Sequence, residues 1–426
     1  MKIAELYQKY LESGKVSTDT RQITSGSVFL ALKGPTFNAN EFALEALSLG
    51  ASYAVVDDKK YDGNRCILVD NVLQTLQSLA RHHRDQLKIP VIGLTGSNGK
   101  TTSKELVHAV LSKKFKTLAT KGNLNNHIGV PMTILSIDPS HEMAVIEMGA
   151  NHLGEIAGLS AIANPTHGFI TNIGKAHIGT FGGFENIIRA KTELYQHLIT
   201  NDGTVFINSQ NTILANMAKR FTNPIFYPAL GDYYHCDLLG ANPFLTVRSE
   251  SKEEIETQLI GSYNFENIAV ALCVGKYFGI EPHAANQAVK EYVPDNMRSQ
   301  VIRKGDNTII LDAYNANPSS MAAAIESFSA MEGVRKAVIL GDMYELEGEA
   351  EPEHRKILEL LSEKKIQEAY LCGTLLKAVQ ATFPAGKFFD SRDLLVEELK
   401  TNPIHNAIIL VKASRRMALE KVVDFL

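Results

Sequence analysis

The residues with the clearest chemical purpose lie between positions 89 and 102, Ile-Pro-Val-Ile-Gly-Leu-Thr-Gly-Ser-Asn-Gly-Lys-Thr-Thr. A short apolar run leads into Gly96, Ser97, Asn98, Gly99, Lys100, Thr101 and Thr102, and helix-like sequence follows. Phosphate binding needs this order of parts. Glycines let the backbone approach the oxygens, and amides at a helix start point at negative charge. Lys100 then reaches the terminal phosphates, and the Thr101 hydroxyl suits magnesium. The usual loop carries a glycine six positions before its lysine. Here that position is Leu94, with Gly93 one step off, so the loop is a shortened variant. The plain alternative is a Gly/Asn turn joining a strand to a helix.

Three other segments carry groups that a phosphate loop can use. Ala144-Val-Ile-Glu-Met-Gly149 reads as a buried strand ending in Glu147. A carboxylate at the carboxyl end of a parallel strand lies at the crevice where such sheets take ligands, and its oxygens suit magnesium. The bland reading is a surface glutamate at a strand end. Thr171-Asn-Ile-Gly-Lys-Ala-His-Ile-Gly179 puts Lys175 and His177 in a glycine-flanked loop after another strand. That setting favours function over a structural role for the histidine, which then serves as a metal ligand. Lys191, in Arg-Ala-Lys-Thr-Glu-Leu, falls among apolar positions on a helix. It is either a phosphate contact or a snorkelling surface lysine.

These groups must be held by strands and helices, and the pattern supplies them. Apolar, β-branched runs alternate with helical stretches, which indicates α/β domains on mostly parallel sheets. Strands are expected at 27–32, 54–56, 91–95, 144–147, 168–172, 204–208, 308–312, 337–341, 369–372 and 407–411. The chain has 426 residues, too many for one core, and three domains are expected at 1–83, 84–295 and 296–426. Lys plus Arg number 43 against 47 Asp plus Glu, a net charge of −4 that argues against a nucleic-acid binder but allows a local basic pocket. Cys66, Cys236, Cys273 and Cys372 show no CxxC spacing, so neither a disulfide framework nor a zinc site is expected, and a reducing cytoplasm fits. No run is long and apolar enough for a membrane span. The aromatic residues at 226–234 read as core or loop packing, the acidic run 345–353 as solvated or a helix start, and His82 and His83 as an exposed inter-domain pair.

In order along the chain, TGSNGKTT (95–102), NLNNHIGVP (123–131), EMGANHLGEI (147–156), TNIGKAHIGTFGG (171–183), AKTEL (190–194), SYNFENIAVA (262–271), NMRSQ (296–300) and LDAYNANPSSM (311–321) resemble the Mur ligases, ATP-dependent amide-bond ligases of bacterial cell-wall synthesis. The resemblance implies a small N-terminal UDP-binding α/β domain, a central P-loop ATPase-like domain with a mostly parallel sheet, and a C-terminal Rossmann-like α/β domain. DAYNANPSSM and LGDMYELEGEAEPEH (340–354) resemble the branch that adds D-alanyl-D-alanine to UDP-N-acetylmuramoyl-tripeptide through an acyl phosphate. The D-N-P-R-type segment of the branch that adds lysine or diaminopimelate is missing. That branch and a non-catalytic nucleotide-binding protein are the rival readings. Folylpolyglutamate synthetases share the loop but not the N-terminal TDTR…GSVFLALKG segment (18–34).

By that resemblance, residues 96–102 hold the ATP phosphates, Thr101 and Glu147 bind one magnesium ion, and His177 helps bind a second. Lys191 matches a lysine that becomes carbamoylated. Asn264 and Asn267 match adenine-side asparagines, and Arg298 and Asp312 match contacts to phosphate and ribose. Asn125 and Asn126 match the loop that meets the muramoyl sugar and its pyrophosphate, and Thr20 and Arg21 lie near the UDP group. Asn40 stands where the family often has a histidine and is expected to replace its polar contact to the substrate, and Ala413 stands where a K-G-S-R segment has glycine. The implied protein is a cytoplasmic monomer with small-molecule partners and no nucleic acid or membrane.

Overall fold

The runs Val91–Thr95, Met143–Glu147 and Thr204–Asn208 are apolar on both faces, which suits strands covered by helices on two sides. In the computed structural model, which describes residues 2–176, 178–332, 335–366 and 368–426, they belong to one all-parallel six-stranded sheet. Its order is Ile225–Tyr227, Thr204–Asn208, His167–Ile170, Val91–Thr95, Met143–Glu147 and Thr117–Ala119. Val91–Thr95 sits between Met143–Glu147 and His167–Ile170. The next two strands in the chain, Thr117–Ala119 and Met143–Glu147, add on one side of it, and the three later ones add on the other. This is a topological switch point, and the loops leaving these three strands open into one crevice. Helices Lys100–Leu111 and Phe265–Tyr277 pack together on one face of the sheet, and Glu155–Ala163 and Phe184–Thr200 pack together beyond the other.

A four-stranded parallel sheet precedes it, Val16–Ser17, Val28–Leu30, Tyr53–Val56 and Cys66–Leu68. A second six-stranded sheet follows it, in the order Gln300–Lys304, Asn307–Asp312, Ile408–Lys412, Lys336–Gly341, Glu368–Cys372 and Lys387–Phe389. Only its first pair is antiparallel. All ten expected strands are present, within a residue or two at most ends.

Two sheets were not anticipated, the two-stranded ribbon of Lys33–Gly34 with Phe37–Asn38 and a larger one. Asp237–Ala241, Phe244–Arg248 and Glu254–Ile260 form an antiparallel meander. Its last strand alternates exposed Glu254, Glu256 and Gln258 with buried Ile255, Thr257 and Leu259. That period-two pattern carries no continuous apolar run. Two other expectations need correction. His83 is buried, because it falls on the apolar stripe of helix Val72–Gln86 with Val72, Leu76, Leu79 and Ala80. Its Nδ1 lies 3.1 Å from the Tyr7 hydroxyl and its Nε2 2.8 Å from the Ile137 carbonyl oxygen. The acidic run does begin a helix, Ala350–Glu363, but Glu353 is buried and pairs with Lys175 at 3.0 Å and Lys356 at 2.8 Å. Tyr227 and Tyr234 pack in the core, and all four cysteines are unpaired and buried.

Candidate active site

Strand Val91–Thr95 ends in a turn that only glycine makes cheaply. Gly99 has φ +76°, and a Cβ there would lie 2.5 Å from Asn267 Oδ1. A Cβ on Gly96 would overlap the Thr171 hydroxyl. Gly99 caps helix Lys100–Leu111 without a side chain, so the first helical amides stay available to an anion. The loop is held by its neighbour at 171–174. Ser97 and Asn98 amides donate to the Asn172 carbonyl and Oδ1, both at 3.0 Å, and the Thr171 hydroxyl donates to the Asn98 carbonyl at 2.6 Å. The Lys100 ammonium folds back onto the Gly96 and Ser97 carbonyls at 2.8 and 3.1 Å. Burial pushes this lysine down to about 8, and the charge of Glu147 opposes that shift.

Glu147 is buried at the next strand end. Its Oε1 accepts from Asn125 Nδ2 at 2.8 Å, and its Oε2 has no partner. A buried carboxylate oxygen with no donor is costly unless a cation completes it. Lys191 lies behind Ala150, whose carbonyl is 3.4 Å from Nζ, on helix Phe184–Thr200. It is 1% exposed, which removes the snorkelling reading. Burial first, then the charge of Lys100, brings its amine down to about 7.

The far wall comes from the C-terminal sheet. Asp312 and Lys412 end adjacent parallel strands in register, and their side chains pair at 2.5 Å. The Arg298 guanidinium lies 3.8 Å from the centre of the Tyr314 ring, its buried Nε has no partner, and left-handed Met297 and Ser299 flank it. Such backbone strain concentrates where a side chain must be aimed. Asn317 Nδ2 donates to Asn98 Oδ1 at 2.8 Å, the Lys175 amide donates to the Ser319 hydroxyl at 2.9 Å, and the Lys175 ammonium pairs with Glu353. The phosphate loop and its bracing loop are therefore tied directly to the C-terminal unit. Between these walls lies one cavity of about 1470 Å³. Sites for a single drug-sized ligand run to roughly 1,000 Å³, so this one has room for two reactants.

Residues 94–275 match the Mur ligase middle domain, and residues 297–415 match the Mur ligase, glutamate ligase domain. A UDP-N-acetylmuramoyl-tripeptide–D-alanyl-D-alanine ligase of Bacillus subtilis (strain 168) is 35% identical over 424 residues, covering 96% of this chain and 92% of that protein. The chain belongs to the Mur ligase family. The Escherichia coli (strain K12) protein of the same name is 33% identical over 419 residues, 96% of this chain and 92% of its own. Among solved structures, an Acinetobacter baumannii MurF superposes with a TM-score of 0.88 at 28% identity, covering 99% of this chain and 98% of the other. Thermotoga maritima MurF in complex with ADP gives 0.86 at 26% identity, with 97% of each chain covered.

In this Mur ligase the fold brings most of the sequence-derived candidates to one cavity. Residues 97–102, Asn125, Asn126, Glu147, Asn264, Asn267, Arg298 and Asp312 all line it. Gly96 lies beneath the loop, where its carbonyl meets Lys100. Asn264 and Asn267 are buried and chained. Ser103 donates to Asn267 at 2.8 Å, Asn267 to Asn264 at 2.8 Å, and Asn264 to the Ile260 carbonyl at 2.8 Å. Asn126 accepts from the Ile128 and Gly129 amides and so starts helix Gly129–Ile134. His177 lies outside the described residues.

Four further candidates are not in the cavity lining. Lys191 stands behind Ala150, which does line it. Thr20 and Arg21 sit on a turn of the N-terminal unit, where Arg21 pairs with Asp19 at 2.7 Å. Asn40 is fully buried; its amide donates to Asn38 and Asp57 and accepts from the Asp57 N–H. It therefore offers no free atom for direct ligand contact. Lys412, Tyr314 and Asn317 line the cavity and were not singled out from sequence. Lys412 had a signal: a charged residue closing the apolar strand Ile-Ile-Leu-Val, as Asp312 closes Ile-Ile-Leu. Ala413, in place of glycine, packs against Gly341, where a second Cβ would come within 2.7 Å.

Proposed function

We propose that this chain joins the terminal carboxylate of UDP-N-acetylmuramoyl-tripeptide to the amine of D-alanyl-D-alanine, with conversion of ATP to ADP and phosphate, making the pentapeptide precursor of peptidoglycan. The observation that carries the reading is the large cavity with a phosphate loop and a buried carboxylate oxygen without a partner on one side and the Asp312–Lys412 ion pair on the other. The full-length similarity to D-alanyl-D-alanine ligases supports it.

A carboxylate is a poor electrophile. Transfer of the γ-phosphoryl group to its oxygen gives an acyl phosphate, and attack by the amine then expels phosphate through a tetrahedral intermediate. Two anions must first meet, and at ~4 Å they repel by ~4 kcal/mol at an effective dielectric of ~20. Uncompensated, that is roughly a thousandfold in rate. Lys100 and the amides of residues 99–102 oppose this repulsion. The residues fit magnesium, because Glu147 Oε2 is buried without a donor and the Thr101 hydroxyl lines the same cavity. Magnesium ions there would supply further neutralisation, with Thr101 and Glu147 holding one and His177 and Lys191 the other. The depressed Lys191 amine suits carbamoylation: the neutral nitrogen adds to CO2 and releases a proton, giving an anionic oxygen ligand.

Asn264, Asn267, Arg298 and Asp312 take the nucleoside and phosphates of ATP, and Asn125 and Asn126 the muramoyl sugar and its pyrophosphate. Thr20 and Arg21 meet the UDP group in segment 1–83, with Asn40 acting through the shape of its loop. Segments 84–295 and 296–426 supply the two walls of the cavity. Every group named comes from one copy, so a monomer suffices. Among the described residues no helix is long and apolar enough to cross a membrane, and we place the reaction in the cytoplasm.

The decisive assay is phosphate release with ATP, UDP-N-acetylmuramoyl-tripeptide and candidate amines. Release should require both the tripeptide and D-alanyl-D-alanine. Release with lysine or diaminopimelate in place of the dipeptide, on a substrate lacking the third residue, would overturn the assignment in favour of the neighbouring branch.

A further inference from the structure

Lys104 is charged, 1% exposed and unused by the reaction described above. It lies one turn beyond Thr101 on helix Lys100–Leu111. Its ammonium donates to the Thr120 carbonyl at 2.5 Å and pairs with Glu105 at 2.8 Å. Thr120 is buried too, at the end of strand Thr117–Ala119. Its hydroxyl accepts the backbone N–H of Glu147 at 3.0 Å, and its own N–H donates to the Val145 carbonyl at 3.0 Å. Five residues on, Asn125 donates to Glu147 Oε1. One continuous chain of bonds thus runs from the phosphate-loop helix, through Lys104 and Thr120, to the backbone of Glu147, and the segment that Thr120 begins carries the Asn125 that holds the carboxylate.

We propose that Lys104 is a positioning residue for the divalent cation: it sets the separation of the Thr101 hydroxyl and the Glu147 carboxylate, which lie on different elements. The inference rests on the reading of those two groups as cation ligands. Octahedral coordination of magnesium tolerates little error in ligand spacing, so two ligands from separate elements need a brace. An apolar side chain would fill this buried position at lower desolvation cost, and an ammonium there serves placement better than stability. The three donors of lysine reach the Thr120 carbonyl and Glu105 together, which no apolar residue can do.

The test is Mn2+ binding to the full-length protein in the presence of ADP, followed by the electron paramagnetic resonance of free Mn2+. Lys104→Met should weaken Mn2+ binding about tenfold and leave ADP affinity without divalent ion unchanged. Thr120→Val, which keeps the lysine and removes its link to Glu147, should shift Mn2+ binding in the same direction. Wild-type Mn2+ affinity in a folded Lys104→Met protein overturns the proposal. If that variant fails to fold, wild-type affinity in Thr120→Val overturns it instead. Glu147→Gln separates the two levels of the argument. Unchanged Mn2+ affinity in that variant refutes the cation site itself. A loss there with none in Lys104→Met or Thr120→Val refutes only the brace.

Discussion

Replacing Gly99 by alanine tests whether Asn267 is the wall that shapes the phosphate loop. At φ +76° an L-residue costs roughly 1–2 kcal/mol. The new Cβ would stand 2.5 Å from Asn267 Oδ1 and 3.0 Å from its Nδ2, so one side must give. Asn267 is held by Ser103 and by Asn264, and freeing it forfeits two hydrogen bonds of about 1 kcal/mol each. The total is about 3–4 kcal/mol, which the loop avoids only by leaving the shape that receives phosphate. Calorimetric titration with ADP and magnesium should therefore show affinity falling by roughly two orders of magnitude or more. In an Asn267→Ala background the overlap is gone and only the backbone cost remains. Gly99→Ala should then weaken ADP by roughly tenfold, a coupling of about 2 kcal/mol between the two positions. Equal losses in both backgrounds, or wild-type ADP affinity in Gly99→Ala alone, would refute the reasoning.

Lys191→Ala should lose turnover that short-chain carboxylates partly restore, measured by phosphate release; activity equal to wild type would remove the lysine from the site. Lys412→Met strands the carboxylate of Asp312 and should destabilise the C-terminal unit by about 3 kcal/mol in urea unfolding, with Asp312→Asn in the same chain recovering much of the loss. His83 titrates below its ordinary value because burial disfavours its charged form. The unfolded chain therefore binds a proton that the folded chain does not. Stability should fall as pH drops below about 6.5 and keep falling towards the depressed folded value. His83→Gln should flatten this part of the pH profile of thermal unfolding; an unaltered slope would assign the acid sensitivity elsewhere.

Much of this molecule is readable without coordinates, for identifiable reasons. Strands 91–95 and 204–208 are found to the residue because parallel strands buried on both faces are unbroken apolar runs bounded by turn residues. The same criterion passes over Glu254–Ile260, whose alternation marks a half-exposed antiparallel strand. His83 was legible and misread: its spacing from Leu76 and Leu79 places it on the buried stripe of its helix. Lys191 follows the same logic among Ile187, Ala190, Leu194 and Leu198. Other features depend on contacts between distant segments and leave no local trace. Asn40 is closed off by Asp57, Lys104 meets Thr120 across two elements, and Asn98 meets Asn317 at the start of a C-terminal helix. The phosphate loop is legible because its parts are consecutive. The wall proposed for the nucleoside is assembled from three separate stretches, at Asn264–Asn267, Arg298 and Asp312, and only the family resemblance pointed to them.

The bond between Asn98 and Asn317, with Ser319 and Glu353 reaching Lys175, bears on how such ligases can be recombined. Grafting the carboxy-terminal third of a relative onto this chain would replace side chains that touch the phosphate loop and the loop that braces it. A hybrid would inherit an intact cradle with an altered outer rim, and its appetite for nucleotide would track which parent supplied positions 317, 319 and 353. Exchanges cut at the apparent seam between lobes are thus unsafe unless these three side chains travel with the loops they grip.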